Sequence, residues 1–535
     1  MMTREAMKSR EQMEMFCLDD LVPKDHLVRK IEAAIDWSFI YELVEPLYCE
    51  ENGRPSLDPV TLIKLPVLQY MFGIRSMRRT VQEVETNAAY RWFLGQGLQD
   101  AVPHFSTFSK NYTRRFKDTD LFEQIFEKIL SECFAEGMVD PSVVFVDSTH
   151  VKARANGKKY KDEVAEEQAL WYAEELKEEI QKDREAHGKK PLKDTEPPDD
   201  TRDDDNNSPP PPAKGSGKGT PNKNTSRKKQ IRQKKEKHRK VSTVDPESGW
   251  FRKGEHKQVF AYSVQTACDR HGIILGSSVH PGNENDGRTF KGLYDKIQHY
   301  PIQVIVGDTA YKTPAIAQLL AKEKVELLST YSRPKTQKGY FPKSAYVYDE
   351  YYDCYLCPAD EVLTYRTTNR EGYREYKRDP AKCAQCPYLF QCTASKDHVK
   401  LVTRHIWADD LERMEENRHT YGVREWYGLR KETTERDFAQ AKELHSFRYT
   451  QMYGKARMEM KAVLTFACIN LRKLAKRRRR TRLDRIMIAL SPPFFSIFLK
   501  PRLALLRKPG FVYSLSYREN LGNCLRWKTL FDAVL

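Results

Sequence analysis

Two β-branched runs in this chain lead straight to an aspartate, and this repeated feature most constrains how the chain can fold. In VVFVDSTHVKA (143–153), an apolar run typical of a buried strand ends on Asp147. In PIQVIVGDTAY (301–311), a similar run leads through Gly307 to Asp308. Each aspartate can simply start a turn. Alternatively, the two carboxylates form one site, because open α/β sheets place their sites where strands end.

The segments between and after these runs predict a mixed α/β domain. QVFAYSVQTACDRHGIILGSSVHPG (258–282) is typical of a β-hairpin. Residues 288–300 and 314–323 predict helices, and KVELLSTY (324–331) predicts a further strand. This order of elements favours a mixed sheet with helices on its faces.

Residues 20 to about 140 carry apolar side chains at helical spacing and predict an all-α region. One helix is expected to start at Asp58, and another to run from Ser76 to Gly95. Ser106 is expected to cap a short helix with three basic side chains on one face. These are Lys110, Arg114 and Lys117. Such a stripe is typical of a DNA-reading helix, and equally of a charged face in solvent.

The composition changes after the first strand. Residues 160–187 predict a charged helix, and residues 188–225, rich in Pro, Asp, Asn, Gly and Lys, are expected to be disordered because they cannot bury a core. SRKKQIRQKKEKHRK (226–240) holds nine Lys or Arg and one Glu. It is either a phosphate-binding arm or a solvated tether.

The net charge of +16 points to a polyanionic partner. Because the chain also has 75 acidic residues, the excess of basic residues is expected to be concentrated in particular segments. No apolar run reaches the ~18 residues needed to cross a bilayer. The start of the chain, MMTREAMKSREQMEMF, has no signal-peptide core. These features predict an intracellular protein without a membrane segment, whose 11 cysteines are not expected to form disulfides.

Five of the cysteines cluster in CYLC (354–357) and CAQCPYLFQC (383–392), and two CxxC pairs predict a structural zinc site. Cys392 competes for a place among the four ligands, and His398 is a weaker candidate. The alternative is a set of reduced structural thiols. The favoured ligands are Cys354, Cys357, Cys383 and Cys386.

Two adjacent carboxylates repel each other, and a hard cation relieves that cost. Oxygen ligands suit Mg²⁺ or Mn²⁺, and two such ions can activate a nucleophilic oxygen and stabilise a leaving one. This chemistry favours a third carboxylate on a rigid helix. Glu435 heads a helical stretch in which Phe438 is directed inward and Lys442 lies two turns on along the same face.

At this point the chain resembles the bacterial insertion-sequence transposases that carry an Asp-Asp-Glu triad on an RNase H-like fold. The similar branch has an N-terminal helical domain and a cysteine-bearing insertion before the Glu helix. The resemblance covers about residues 20–475. Its segments include NAAYRWFLG (87–95), PHFSTFSK (103–110), VFVDSTHVKARAN (144–156), VIVGDTAYKTP (304–314) and RKETTERDFAQAKELHSFRYTQMYG (430–454).

The resemblance implies catalytic, metal-binding roles for Asp147, Asp308 and Glu435 with two Mg²⁺ or Mn²⁺ ions. It implies contacts with DNA phosphates for Tyr427, Arg430 and Lys442. The gap between Arg430 and Glu435 holds four residues instead of the family's usual three. Asp286, in GNENDG, recurs in such proteins, and we assign it no metal ligation.

The implied function is a DNA transposase that cuts the inverted-repeat ends of its own element and joins the freed 3′-hydroxyls to target DNA. Its implied partner is double-stranded DNA, bound by a homodimer, with no nucleotide cofactor. The expected location is the cytoplasm, in association with the nucleoid. A catalytically silent DNA-binding regulator and a metal-dependent nuclease on the same fold remain alternatives.

The predicted fold is an RNase H-like mixed α/β sheet flanked by helices, with an all-α N-terminal domain and a small insertion resembling a zinc knuckle. Seven segments are expected along the chain. They are a helical DNA-binding domain (1–140), the first catalytic strand (141–159), the charged helix, linker and basic arm (160–240), the catalytic core (241–335), the cysteine-bearing insertion (336–415), the Glu helix and the helix after it (416–480), and a tail (481–535).

Overall fold

The computed structural model of the protein describes most of the predicted domains. The described residues are 15–49, 56–164, 170–192, 238–253, 257–330, 336–420 and 423–490. Residues 193–225 of the predicted linker, nearly all of the predicted basic arm and the tail beyond residue 490 lie outside these ranges.

The N-terminal region is helical, as predicted, and consists of short helices joined by turns. Asp58 caps the fourth of them by accepting a hydrogen bond of 2.8 Å from the Thr61 N–H, and Pro59 takes the first helical position, where a missing N–H costs little. The helices are α1 (Leu18–Leu21), α2 (Leu27–Glu32), α3 (Phe39–Val44), α4 (Pro59–Met71), α5 (Met77–Thr86), α6 (Ala88–Leu94), α7 (Ser106–Asn111) and α8 (Leu121–Ala135).

The single helix predicted between Ser76 and Gly95 is in fact the pair α5 and α6. Ser76 caps α5 as predicted, but the chain leaves the helix at Asn87. The Asn87 side chain then caps α6 by accepting a hydrogen bond of 2.9 Å from the Ala89 N–H. Asparagine competes for backbone groups in this way and therefore favours a cap over a helix interior.

The cap predicted at Ser106 is wrong. Helix α7 starts at Ser106 itself, and Phe105 holds the cap position without a side-chain hydrogen bond. The Ser106 hydroxyl instead pairs with Nδ1 of His104 at 2.8 Å. After α7 the chain continues in a π-helical turn, Tyr112–Phe116.

The strands and the remaining helices follow in chain order. The strands are β1 (Val143–Lys152), β2 (Tyr160–Val164), β3 (His238–Ser242), β4 (Gly249–Lys253), β5 (Lys257–Asp269), β6 (Ile274–Pro281), β7 (Val304–Val306), β8 (Glu326–Leu328), β9 (Val347–Asp349), β10 (Cys354–Leu356), β11 (Val362–Thr368), β12 (Tyr373–Lys377) and β13 (Val402–His405). The helices are α9 (Ala173–Ala186), α10 (Asp286–Ile297), α11 (Pro314–Lys322), α12 (Pro380–Ala384), α13 (Leu389–Cys392), α14 (Ala408–Thr420), α15 (Val423–Glu432), α16 (Thr434–Leu444) and α17 (Lys455–Leu490).

The largest sheet has the topology that the sequence predicts. Five of its strands lie in the order β6-β5-β1-β7-β8, and β4 pairs with the first half of β5. Strand β1 is antiparallel to β5 and parallel to β7, which is parallel to β8. A three-stranded antiparallel meander followed by two parallel strands is the RNase H-like arrangement, so the predicted fold class is confirmed.

Strand β1 does not end at Asp147, as its apolar run suggests, but continues to Lys152. Beyond Asp147 the strand alternates, with Thr149 and Val151 buried, as expected when one face lies on a core. The long strand β5 pairs with it throughout, as far as Lys152 opposite Ala261. Asp147 therefore lies within a strand and has a rigid backbone.

The charged stretch 160–187 is not one helix, contrary to the prediction. Its first part is β2, which pairs with β3, and among the described residues of the stretch the helix is α9. The Tyr160 ring lies beneath the Lys240 ammonium, at 4.3 Å, and beside the Trp250 ring. These partners are distant in sequence, so the local pattern gives no sign of them.

The cysteine-bearing insertion is an antiparallel sheet in the order β13-β12-β11-β10-β9 and is larger than a zinc knuckle alone. Helix α9 packs on it through the buried Asp183, whose carboxylate pairs with Arg374 at 2.6 Å. The sheet has its own apolar core, made of Tyr346, Tyr355, Leu363, Tyr376 and Val402.

Helix α17 spans the division between the two structural units of the chain. The first unit ends at Ala475 and includes the buried part of α17, with Phe466 and Leu471 in the core. The second unit begins at Lys476. Among the described residues, no helix is both long enough and apolar enough to cross a membrane.

Candidate active site

The pairing of β1 with β7 sets Asp147 beside Asp308. Phe145 lies opposite Val306 in this parallel pair, and a step of two residues along each chain leads to the two aspartates. Neighbouring strands lie ~4.8 Å apart, and residues at the same level point to the same face. The Asp308 carboxylate also accepts a hydrogen bond of 2.9 Å from the Ala310 N–H, which fixes the turn after β7. The structure thus brings these two predicted site residues together.

Arg430, on α15, neutralises the Asp147 carboxylate. The guanidinium Nη2 lies 2.7 Å from Oδ2, and the two side chains are only 8% and 14% exposed. Burial raises the pKa of Asp147, the nearby guanidinium lowers it by less, and the charge of Asp308 raises it further. The Tyr427 hydroxyl accepts a hydrogen bond of 2.9 Å from Nη1 of Arg430. A protein cation therefore lies where the paired carboxylates need positive charge.

Tyr311 is absent from the predicted site residues, although it stands three positions after Asp308 in GDTAY. Its ring is fully buried, and its hydroxyl has no hydrogen-bond partner among the described residues. Burial raises the pKa of this phenol well above its usual value, and the carboxylates of Asp286, Asp147 and Asp308 raise it further. The hydroxyl is thus a neutral group held among three carboxylates.

Asp286, to which we assigned no metal ligation, starts α10 next to this site. Its carboxylate accepts a hydrogen bond of 2.7 Å from the Ser148 hydroxyl, one residue after Asp147 on β1. The Gln265 side-chain amide on β5 donates to the Asp286 backbone carbonyl at 2.9 Å. These bonds hold the start of α10 against the sheet, which is a positioning role.

Helix α16 carries the predicted third carboxylate at the edge of its buried face. Phe438 and Ala441 are buried, as expected for the inward face, whereas Glu435 is exposed. Lys442, two turns further on, is half-buried and lies along the same edge as Glu435.

The structure does not bring Glu435 into one group with Asp147 and Asp308. Among the described residues, no three His, Cys, Asp or Glu side chains are placed to hold a metal ion. The physical reason at this site is Arg430, which satisfies Asp147 in the place of a metal ion.

A different acid of α16 faces the interior. Asp437 is buried and its carboxylate lies 2.7 Å from the Lys473 ammonium of α17. Burial raises the pKa of Asp437 to about 6, although the ammonium group opposes this shift. The pair fixes which face of α16 lies inward.

Comparisons with known proteins identify two regions of the chain. Residues 16–114 match the family described as Transposase domain (DUF772), and residues 356–475 match the family described as Transposase DDE domain. Both matched families are transposase domains, and the second is described as a DDE domain. The second match includes Arg430 and Glu435, whereas Asp147 and Asp308 lie outside both matched ranges.

Among solved structures, the chain is similar to one titled Mos1 transposase paired-end complex with left transposon end. The identity is 11%, the TM-score is 0.13, and the match covers 52% of this chain and 61% of that chain. The chain thus matches about three fifths of that structure's length. No curated protein matches the chain.

The predicted basic stripe of the chain lies on the surface. All three side chains are exposed, although they follow one another along α7, the π-helical turn and the residue after it rather than along one regular helix. The stripe consists of Lys110, Arg114 and Lys117.

The clustered cysteines of the chain fall into two groups. Four of them line one cavity of about 30 Å³, and Cys354 is not among its lining residues. Burial raises the pKa of Cys383, and the three neighbouring thiols raise it further. The structure therefore groups Cys392, rather than Cys354, with the other predicted ligands. The lining cysteines are Cys357, Cys383, Cys386 and Cys392.

The strand geometry explains this exchange. Cys354 lies in β10, where successive side chains point to opposite faces, so Cys354 and Tyr355 point to opposite faces. Cys357 follows the last residue of the strand, in the turn that leads to β11. Tyr355 and Cys357 face the apolar core of the insertion, whereas Cys354 and Leu356 do not. The second CxxC is instead closed by a hydrogen bond of 3.1 Å from the Cys386 N–H to the Cys383 carbonyl, and this turn lets both thiols point one way.

Proposed function

We propose that this protein is a DNA transposase that binds the inverted-repeat ends of its element and cuts them. The freed 3′-hydroxyls are then joined to target DNA. The observation that carries this proposal is the placement of Asp147, on β1, beside Asp308, two residues after the parallel strand β7, with the Arg430 guanidinium paired to Asp147. A match of residues 356–475 to a transposase DDE domain supports it.

The residues at this site fit a divalent ion. Asp147 and Asp308 offer hard carboxylate oxygens, and the pairing with Arg430 is a direct sign that they need a cation. Mg²⁺ or Mn²⁺ held there, as a pair of ions, would activate the attacking oxygen and stabilise the leaving one. Because one phosphodiester is exchanged for another, the joining step needs no nucleotide cofactor.

Glu435 is proposed as the third carboxylate of the site. It lies five residues after Arg430, on the helix that follows the one carrying that arginine, and the break at Thr433 between the two helices lets them direct their side chains independently. When Arg430 leaves Asp147, its guanidinium becomes available for a phosphate of the scissile strand. Tyr427 and Lys442 lie on the same two helices and are proposed to contact phosphates as well.

The N-terminal helical region is proposed to bind the element ends. The exposed stripe of Lys110, Arg114 and Lys117 supports this role, because phosphate contacts supply most of the affinity of proteins for DNA. Two ends must be held at once, so the proposed working form is a homodimer on DNA, in the bacterial cytoplasm with the nucleoid.

The test uses the full-length chain, Mg²⁺ and labelled DNA that contains the inverted repeats flanking its gene. We expect strand cleavage and strand transfer by the wild type, and the variants Asp147→Asn, Asp308→Asn and Glu435→Gln should lose at least 100-fold in cleavage rate while still binding DNA. Glu432→Gln, an exposed acid three positions before Glu435, is the matched control and should cut normally.

Each alternative function has its own outcome in this assay. Tight binding to the ends without cleavage by the wild type would identify a DNA-binding regulator. Cleavage without regard to the repeats would identify a nuclease. Normal cleavage by any of the three acid variants would show that the site is assigned wrongly.

A further inference from the structure

The insertion contains a cavity whose chemistry is independent of the active site. Four thiols line it, and they come from the β10–β11 turn, from α12 and its end, and from the end of α13. Its volume of about 30 Å³ suits a single ion and excludes an organic ligand. Convergence of four thiols from three separate segments on one small space is the arrangement of a structural zinc site.

We propose that Cys357, Cys383, Cys386 and Cys392 bind one structural Zn²⁺ ion. Cys354 takes no part in this site. The thiols are not at ligating distances in the present arrangement of the described residues, since no three of them are placed to hold an ion. Each is only partly buried, so rotation of the side chains about Cα–Cβ can close the four sulfurs on the cavity they already line.

The charges around the cavity match such a site. Zn²⁺ with four thiolates has a net charge of −2, and the side chains of Arg378 and Lys400 line the same cavity. Arg378 is held in place by an ion pair of 2.9 Å with Glu361, and Lys400 lies over the Tyr346 ring at 5.4 Å. These two cationic side chains would balance the negative charge of a zinc centre with four thiolate ligands.

The binding step is balanced without any other reactant. Each thiol releases its proton to solvent as its sulfur forms a bond to the ion, and no group is oxidised or reduced. Four protein sulfurs leave no open position, so the ion would hold the β10–β11 turn to α12 and α13 and take no part in catalysis.

The orientation of one further group supports this assignment. The Tyr346 hydroxyl lies 3.1 Å from the Cys392 sulfur, in the core on which Cys357 also packs. A hydroxyl that donates to a ligating thiolate stabilises its charge and fixes its direction. Among the described residues, Cys354 is neither part of this core nor a lining residue of the cavity.

The matched pair Cys392→Ala and Cys354→Ala tests the proposal in the full-length chain, purified from zinc-supplemented cells without chelators. Metal analysis should give about one zinc per chain for the wild type and for Cys354→Ala, and at least a tenfold loss for Cys392→Ala. If both variants lose zinc because the insertion misfolds, Cys392→His decides, since histidine can replace a cysteine ligand. Recovery of zinc by Cys392→His supports the site, and its absence overturns it.

A second measurement does not depend on variants. The wild type reconstituted with Co²⁺ should show the intense visible absorption of a tetrahedral cobalt–thiolate centre, which Zn²⁺ then removes. No zinc in the wild type after reconstitution, only weak octahedral cobalt absorption, or loss of zinc by Cys354→Ala with retention by Cys392→Ala would each overturn the proposal.

Discussion

Replacing Arg430 by alanine is expected to tighten the binding of divalent ions at the candidate active site. The arginine and the ion compete for the Asp147 carboxylate, because the guanidinium already lies 2.7 Å from it. Removal of the arginine therefore removes the competitor and leaves a buried carboxylate pair without a cation. The same variant should lose activity on DNA if Arg430 also contacts a phosphate in the working complex.

The size of the effect follows from the geometry. Two unit charges roughly 4 Å apart attract each other by about 4 kcal/mol at an effective dielectric constant near 20. The displaced guanidinium regains hydration, which offsets about half of that attraction and leaves about 2 kcal/mol. A difference of about 2 kcal/mol is a roughly 30-fold change in Kd.

The assay is a titration of the DNA-free protein with Mn²⁺. Binding is measured by calorimetry or by the electron paramagnetic resonance signal of the free ion. Lys431→Ala is the matched control, because it removes the same charge from an exposed side chain one position away. Asp147→Asn should abolish the binding site altogether. A Kd for Arg430→Ala within twofold of the wild-type value, or any weaker binding, would refute the competition between arginine and metal.

Three further predictions concern the protein around this site. The pKa of Asp437 is raised to about 6 from 3.8, so between these pH values the native carboxyl keeps a proton that the unfolded chain has released. The free energy of unfolding should therefore fall by about 3 kcal/mol as the pH rises from about 4 to 6. Urea denaturation of Asp437→Asn should lack this fall. Gly73→Ala should destabilise the fold at least twice as much as Gly95→Ala in the same assay. Both glycines have a positive φ, which an alanine adopts at a cost. At Gly73 the new Cβ would also lie 2.6 Å from the backbone oxygen of Leu444, whereas at Gly95 it would meet no atom within 4 Å. Equal losses would contradict the contact of α4 with α16. Alanine at each residue of the basic stripe should weaken binding to every DNA sequence and reduce the slope of log K against log salt by about 1, and an unchanged slope would remove that residue from the interface. The stripe residues are Lys110, Arg114 and Lys117.

Local patterns in the sequence were sufficient to predict a mixed α/β sheet and the closeness of Asp147 and Asp308. Apolar runs of three or four residues mark β1 and β7, because strands buried on both faces need no polar alternation. The aspartates that follow these runs are necessarily at the same level once the strands pair in parallel. The hairpin of β5 and β6 could also be predicted, because a glycine stands in its turn. In the structure this residue, Gly272, has a φ of +75°, a conformation that favours glycine.

The features that local patterns could not predict depend on contacts between residues far apart in the sequence. The continuation of β1 past Asp147 depends on the length of β5, and β2 depends on its pairing with β3. The exclusion of Cys354 from the thiol cavity depends on its place in a strand, which the spacing CxxC does not reveal. The ion pair between Arg430 and Asp147 joins residues 283 positions apart, and only the folded chain shows it.

The unusual spacing between Arg430 and Glu435 has a physical explanation in the junction between α15 and α16. On one continuous helix, residues five positions apart point about 140° away from each other, whereas residues four positions apart differ by about 40°. The helix is broken at Thr433, which has φ −108° and ψ −97°, so the two helices aim their side chains independently. The additional residue therefore does not rotate Glu435 away from the site by itself. If Glu435 is the third ligand, rotation at Thr433 is the change that exchanges the arginine at Asp147 for the glutamate, and it leaves the pairing of β1 with β7 intact.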